Sequence, residues 1–307
     1  MYKARKLKIG STEQLDALAL ASGKLYSQTV VSFWRVVRKK GVWLKPSSLM
    51  RLCNSKDLHA HSADATVQSF CESLKSWRKR RKTDTEAKPP RRRKRFFKIR
   101  WKNSAIRLKE GLLILSNGKG NQPLYFEWQW ELPVQVEIGW DGEQYELRAT
   151  YAVKQQAEPI GNKVAGIDLG EIHIAVSHDG DNCRILNGRL LRSKRQYQNK
   201  IKAILQSKID TKGKGSKRQR RLIEIKRKQL KKLNNQIKDI LHKQTTHLVS
   251  TLHEEGVQTV VIGDIRGIRK DLDYGKKANQ KLHQMSTGTA RRMTAYKAER
   301  LGSAVSP

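Results

Sequence analysis

Acidic residues are the scarce class in this sequence. Against 64 lysines and arginines stand 28 aspartates and glutamates, a formal net charge of +36 over 307 residues. Charge of one sign on this scale repels the folded chain against itself and calls for a polyanionic partner. Nucleic acid is the first candidate, because each phosphate neutralised releases condensed counterions. An anionic membrane surface is the second. Long apolar runs are also missing. None approaches the length of a membrane span, and the opening Met1-Tyr-Lys-Ala-Arg-Lys lacks the apolar core of a signal peptide. Cysteine is sparse: Cys53, Cys71 and Cys183 are widely separated and odd in number. That argues against a disulfide framework and for a reducing compartment. No Cys-x-x-Cys pair occurs, so these residues cannot build a zinc ribbon, and zinc is not expected as a ligand of this chain. Seven tryptophans and clear periodic segments argue against a disordered basic polymer.

What is present falls into blocks. Residues 1–10 alternate basic with apolar and predict a short strand. Residues 12–82 read as helical. Ser11 or Thr12 can cap a first helix whose Leu15, Leu18, Leu25, Val30, Phe33 and Val37 keep close to helical spacing. Pro46-Ser-Ser breaks it, and a second long helix is expected from about Ala63 to Arg80. Its end carries Arg78, Lys79 and Arg80. A linker over 83–95 holds Arg91, Arg92, Arg93, Lys94 and Arg95 in succession after two prolines. In a chain this basic the run reads as a phosphate contact rather than only a solvated loop.

From Phe96 to Gln155 short alternating segments separated by Ser116-Asn-Gly, Gly118-Lys-Gly and Asp141-Gly-Glu predict strands joined by turns, as in a small barrel or sandwich. Residues 2–9 can supply one more strand, which makes the helical block an insertion in a small β-barrel. After Gly161 the pattern changes. Lys163-Val-Ala-Gly-Ile-Asp-Leu-Gly and Ile172-His-Ile-Ala-Val-Ser read as strands. A basic helical stretch follows over 189–255, broken near Thr211-Lys-Gly-Lys-Gly-Ser. Val257-Gln-Thr-Val-Val-Ile is a nearly all-apolar strand of the kind covered on both faces. A helix over roughly 286–301 closes the pattern. The fold class expected is multi-domain α+β. Its boundaries are a first barrel strand at 1–10, a helical insert at 11–90, the barrel at 91–158 and an α/β layer domain at 159–307.

Two acids stand out. Asp168 lies between apolar neighbours in a predicted strand, where a carboxylate is costly unless paired or metal-bound. Asp264 sits at the carboxyl end of the apolar strand, where sites of open α/β sheets gather. Carboxylates converging from separate strands are the usual way to hold Mg²⁺ for phosphate chemistry. The plainer alternatives stay open: Asp264 as a helix cap, Asp168 as a turn acid bonded to an amide. Asp179 and Asp181 flank a glycine and read as turn chemistry. The histidines offer no ligand pair. Arg218, Arg220, Arg221, Lys226, Arg227 and Lys228 crowd the basic helix with almost no acid to balance them, and are expected to meet phosphate.

As a set, Gly166-Ile-Asp-Leu-Gly, the Asp179-Gly turn, Ile237-Lys-Asp-Ile-Leu-His-Lys, Gly263-Asp-Ile-Arg-Gly-Ile-Arg-Lys and Arg292-Met-Thr-Ala-Tyr-Lys-Ala-Glu-Arg-Leu-Gly resemble the TnpB (OrfB) family. These insertion-sequence proteins, long labelled transposases, are similar to type V CRISPR effector nucleases. The helical insert and barrel resemble the family's recognition and wedge regions more loosely, and 159–307 resembles an RNase H-like (RuvC) nuclease domain. The resemblance implies an RNA-guided, Mg²⁺-dependent DNA endonuclease. Its partners are guide RNA and target DNA, with no membrane and no small-molecule cofactor, in the prokaryotic cytoplasm at the nucleoid. Asp168 matches the first catalytic acid. The second is usually a glutamate ending the apolar strand. Gly263 stands there and Asp264 follows, and a one-residue shift reverses the face a side chain takes. The third acid of the family lies beyond a four-cysteine zinc ribbon, and the sequence ends at Pro307 before both. Residues from Ser303 on also depart from the strand the family carries there. The domain is therefore expected to be incomplete, and the polypeptide to have little or no cleavage activity.

Overall fold

The computed structural model describes residues 2–93, 95–153, 158–265, 267–268 and 273–306. The chain divides into two compact units, Met1–Lys154 and Gln155–Pro307. Lys94, one of the expected phosphate contacts, lies outside the described residues, as do parts of the 263–270 motif.

In the first unit β1 (Tyr2–Ile9) and β2 (Ile99–Lys102) flank the helical block in sequence and belong to one antiparallel sheet with β6 (Gln135–Trp140) and β7 (Tyr145–Ala152). The order is β1-β7-β6-β2. The helices α1 (Glu13–Lys40), α2 (Pro46–Leu52) and α3 (Ala60–Arg81) are thus an insertion between two strands of that sheet. A second sheet, β3 (Ile106–Lys109), β4 (Leu112–Leu115) and β5 (Leu124–Glu127), is antiparallel in the order β3-β4-β5. The expected barrel does not close among the described residues. A 3-10 turn over Asn103–Ala105 separates β2 from β3, so each sheet keeps its own edges. The two sheets instead share one core. Trp101, fully buried, donates from Nε1 to the Ser116 carbonyl at 3.0 Å, and Leu113, Leu115, Ile138 and Tyr145 pack with Phe33 and Phe70 of the helices.

Local chemistry explains α1. Thr12 is the cap of the two candidates: its hydroxyl accepts from the Leu15 N–H at 3.2 Å. Gly41, with φ of 65°, takes the left-handed turn that ends the helix. Gly23 lets another segment press against α1, since a Cβ there would lie 1.9 Å from the Arg95 carbonyl oxygen. The basic linker is fastened along this helix. The Phe97 N–H donates to the Ala19 carbonyl at 3.0 Å, and the Ser27 hydroxyl donates to the Arg93 carbonyl at 2.8 Å.

The second unit centres on a five-stranded mixed sheet. β8 (Lys163–Asp168) pairs antiparallel with β9 (His173–His178), and β9 with β10 (Cys183–Asn187). On its other side β8 runs parallel to β11 (Val257–Ile262), which runs parallel to β12 (Ala304–Ser306). The order is β10-β9-β8-β11-β12. Between β10 and β11 lie α4 (Arg189–Asp210) and α5 (Lys217–Glu254), broken at the glycine-containing turn as expected. α6 (Gly275–Gln284) and α7 (Thr287–Arg300) precede β12. Ala165, Ile167, Val260 and Ile262 of the sheet meet Ile237, Leu241 and Leu248 of α5 and Met293 of α7 in one core. The expectation that residues from Ser303 leave the strand pattern is corrected here. Ser303 is buried, its hydroxyl donates to the Val257 carbonyl at 3.1 Å, and Ala304–Ser306 then pair with Thr259–Val261. Three residues suffice because β11 offers a ready edge. No helix among the described residues is long and apolar enough to cross a membrane.

Candidate nucleic-acid interface and carboxylate site

Positive charge is used in two ways. In the first unit much of it is tied to aromatic rings or to one buried acid. Arg78 lies over the Trp43 ring at 5.0 Å, Arg93 over Tyr26 at 5.4 Å and over Phe97 at 5.1 Å, and Arg95 over Phe96 at 4.9 Å. Arg80, Arg91, Arg92 and Arg93 line a groove of about 550 Å³ with Lys88 and Trp77. Lys79, Arg91 and Arg92 are exposed. The structure therefore brings the end of α3 together with the linker, two runs that the sequence alone keeps separate. The buried acid is Glu137, which accepts from Lys98 at 2.7 Å, Arg100 at 3.2 Å and Arg148 at 2.9 Å. Burial alone would raise its pKa, but Lys98 and Arg100 hold the carboxyl below its ordinary value.

The first half of α5 is different. From Lys217 to Lys232 it holds nine lysines and arginines and one acid, Glu224. No residue of this half is buried; the first is Leu233. Arg218, Arg220, Arg221 and Arg227 are exposed, Lys228 pairs with Glu224 at 3.0 Å, and Lys226 reaches Gln206 of α4. A helix face this unbalanced has no packing reason for its charge and suits phosphate.

The carboxylates are arranged as follows. Asp168 is the last residue of β8 and is exposed. On the parallel neighbour the Gly263 N–H donates to the Ile167 carbonyl at 3.0 Å, so residue 263 stands beside Asp168. A Cβ at Gly263 would lie 3.9 Å from Asp168 Oδ1. Asp264, one residue on, lines a groove of about 730 Å³ with Thr287, Arg291, Arg292, Val305 and Ser306, which Asp168 does not line. Among the described residues no group of three histidines, cysteines, aspartates or glutamates is arranged to hold a metal ion. Asp179 shows the turn chemistry expected of it. The N–H groups of Asn182 and Asp181 donate to its Oδ1 at 2.6 and 3.1 Å, and its pKa is held down to about 2, by the Asn182 N–H above all. Lys297 of α7 donates to Thr245 and Thr246 and to the His242 carbonyl, tying α7 to α5. Burial and then the Lys297 charge keep the His242 pKa below its ordinary value.

Comparison with known proteins gives a class of fold first. The chain superposes on a cryo-EM structure of a Cas12f1–sgRNA–target DNA complex with a TM-score of 0.60, at 12% identity, covering 95% of this chain and 71% of that one. That likeness shows a mixed α/β, Cas12f-like fold. Sequence comparison adds a family likeness. Residues 143–269 match the OrfB_IS605 family, described as a probable transposase. The TnpB-like protein ORF457 of Acidianus two-tailed virus is 28% identical over 245 residues, 72% of this chain. The chain spans about half, 51%, of the length of that curated relative. The TnpB/OrfB resemblance read from the motifs is thereby shown, and the family match includes both Asp168 and Asp264.

Proposed function

We propose that this chain is an RNA-guided DNA-binding protein of the TnpB type, with weak or absent DNA cutting. Its partners are a guide RNA and target DNA. The observation that carries guided binding is a surplus of exposed cations, foremost on α5, on the fold of a protein solved with guide RNA and target DNA. The five-stranded sheet of the second unit, with Asp168 at the end of its central strand, is read as an RNase H-like domain of the RuvC type.

The family reaction calls for Mg²⁺ held by converging carboxylates. The described residues do not fit that ion well. Asp168 is suitably exposed, but the position facing it is Gly263, and no third acid joins it among the described residues. No cleavage step is therefore derived through the metal. This geometry favours a second form of the same reading, a nuclease-dead regulator that binds guided targets without cutting them.

Binding and cutting are tested separately. With a guide RNA, complementary DNA is expected to bind more tightly than unrelated DNA. Equal affinity for both sinks the guided reading in favour of a generic basic RNA-binding protein. In Mg²⁺ the same complex is expected to cut poorly. Robust cutting that disappears in Asp168→Ala overturns the weak-cutting claim. Gly263→Glu, which sets a second carboxylate beside Asp168, is expected to raise Mn²⁺ affinity at least tenfold, read by paramagnetic resonance.

A further inference from the structure

A narrow cavity in the second unit lies where α4, α6 and the start of α7 meet the segment after β8. Its wall includes Gly170, Glu171, Arg192, Arg195, Lys281 and Ser286, and its volume is about 40 Å³. One water needs roughly 10–15 Å³ of such space, so the cavity has room for a small oxyanion and none for a nucleoside.

Its charge is unbalanced. Arg192 is paired with Glu171 at 3.0 Å, which engages the one carboxylate of the wall. Arg195 is half-buried and, among the described residues, has only neutral partners. Its Nε and Nη2 donate to the Ser286 hydroxyl at 3.3 and 2.9 Å, and Nη1 donates to Gln198 Oε1 at 3.1 Å. Burial lowers its pKa. A guanidinium withdrawn from water is costly unless an anion compensates it. Lys281, also half-buried, adds a second cation with no carboxylate partner among the described residues. The Ser286 hydroxyl sits at the capping position of α7 but makes no capping bond to that helix.

We infer that Arg195 and Lys281 hold a single phosphate group in this cavity, just beyond the end of β8. Size selects one phosphate rather than a whole nucleotide, and two cations without a carboxylate select its charge. The group is either one diester of a bound strand or free phosphate. As a strand contact it rests on the nucleic-acid reading above; as a phosphate site it does not.

Two measurements on the full chain separate the sources, using Arg195→Gln and Lys281→Gln. The first is the salt dependence of duplex binding. Each variant is expected to lower the slope of log K against log salt by about 0.9, one phosphate contact. The second is the melting temperature in inorganic phosphate against chloride at equal ionic strength. Phosphate is expected to raise it for the wild type and not for the variants. A change of slope alone assigns the group to a strand, and a phosphate shift alone assigns it to the free ion; either supports the site. Lys281→Gln removes no hydrogen bond seen among the described residues, so it keeps the test open if Arg195→Gln fails to fold. An unchanged slope together with an unchanged phosphate response in folded Lys281→Gln overturns the proposal. If the wild type binds no nucleic acid, the guided reading fails while the phosphate arm still decides this site.

Discussion

Glu137 in the first unit and Arg195 in the second are opposite solutions to the same electrostatic problem. Glu137 is buried with three cations around it, at 2.7, 3.2 and 2.9 Å, and the cluster is complete within the chain. Arg195 is half-buried with a serine and a glutamine for partners. On a larger scale the same contrast separates the linker Arg91–Arg95, two of whose arginines lie over aromatic rings, from the first half of α5, none of whose residues is buried. The lesson is that a +36 chain does not spend its charge uniformly. Some cations hold the fold, and others wait for a polyanion.

The comparison breaks most visibly at Glu137. Glu137→Ala leaves Lys98, Arg100 and Arg148 without their shared acceptor, and removing one partner of a buried pair costs about 3 kcal/mol. Urea denaturation is expected to show that loss. A change below about 0.5 kcal/mol would mean that these cations, too, are free for a partner. Gly23→Ala, which drives a methyl into the Arg95 carbonyl, is expected to destabilise by about 2 kcal/mol through overpacking. An unchanged denaturation midpoint would show that the linker is not seated on α1.

Acidification sharpens the contrast further. Both Glu137 and Asp179 have pKa values lowered on folding. Such groups stabilise above the unfolded carboxylate value, and that stability is lost as pH falls through the folded one. For Asp179 the window runs from its ordinary 3.8 down to about 2. Asp179→Asn is expected to flatten the fall in stability over that range, measured by denaturation at stepped pH. A wild-type slope in the variant would contradict the assignment.

The smallest effect on folding is expected on α5. Replacing Arg218, Arg220, Arg221 and Arg227 with glutamine is expected to change stability by less than about 0.5 kcal/mol. The same variant is expected to lower the salt slope of duplex binding by about 0.9 for each phosphate it no longer neutralises. Marked unfolding would move these residues into the class of Glu137's partners.

What the sequence made legible follows from how strongly each feature depends on neighbours in the chain. β8 and β11 stood out by their apolar residues, but only one face of each is covered. Ala165, Ile167, Val257, Val260 and Ile262 are buried while Val164 and Val261 are exposed, so β11 is not the strand covered on both faces that its composition predicts. The cap and stop of α1 were readable because Thr12 and Gly41 act locally. β10 and α6 were missed: β10 is an edge strand without a buried residue, and α6 buries nothing, so neither presents an apolar run to read. The closed barrel was expected because alternation predicts strands without saying which edges join. β12 was misjudged because its three residues take their structure from β11. Asp168 was legible as a carboxylate among apolar residues. The role of Gly263 as its neighbour needed the parallel register of β8 and β11. Arg195 was hidden in Arg192-Ser-Lys-Arg195, where both arginines are half-buried and only their partners, Glu171 for Arg192 and neutral groups for Arg195, tell them apart.

The claim that the surplus charge serves guided DNA binding is tested most directly by purifying the chain with its bound RNA and sequencing that RNA. Binding of DNA complementary to its variable end is then compared with binding of scrambled DNA. The account predicts one discrete RNA species and a preference for complementary DNA of at least about a hundredfold, approaching the range that separates specific from non-specific binding. A heterogeneous RNA population with equal affinity for both DNAs would contradict it.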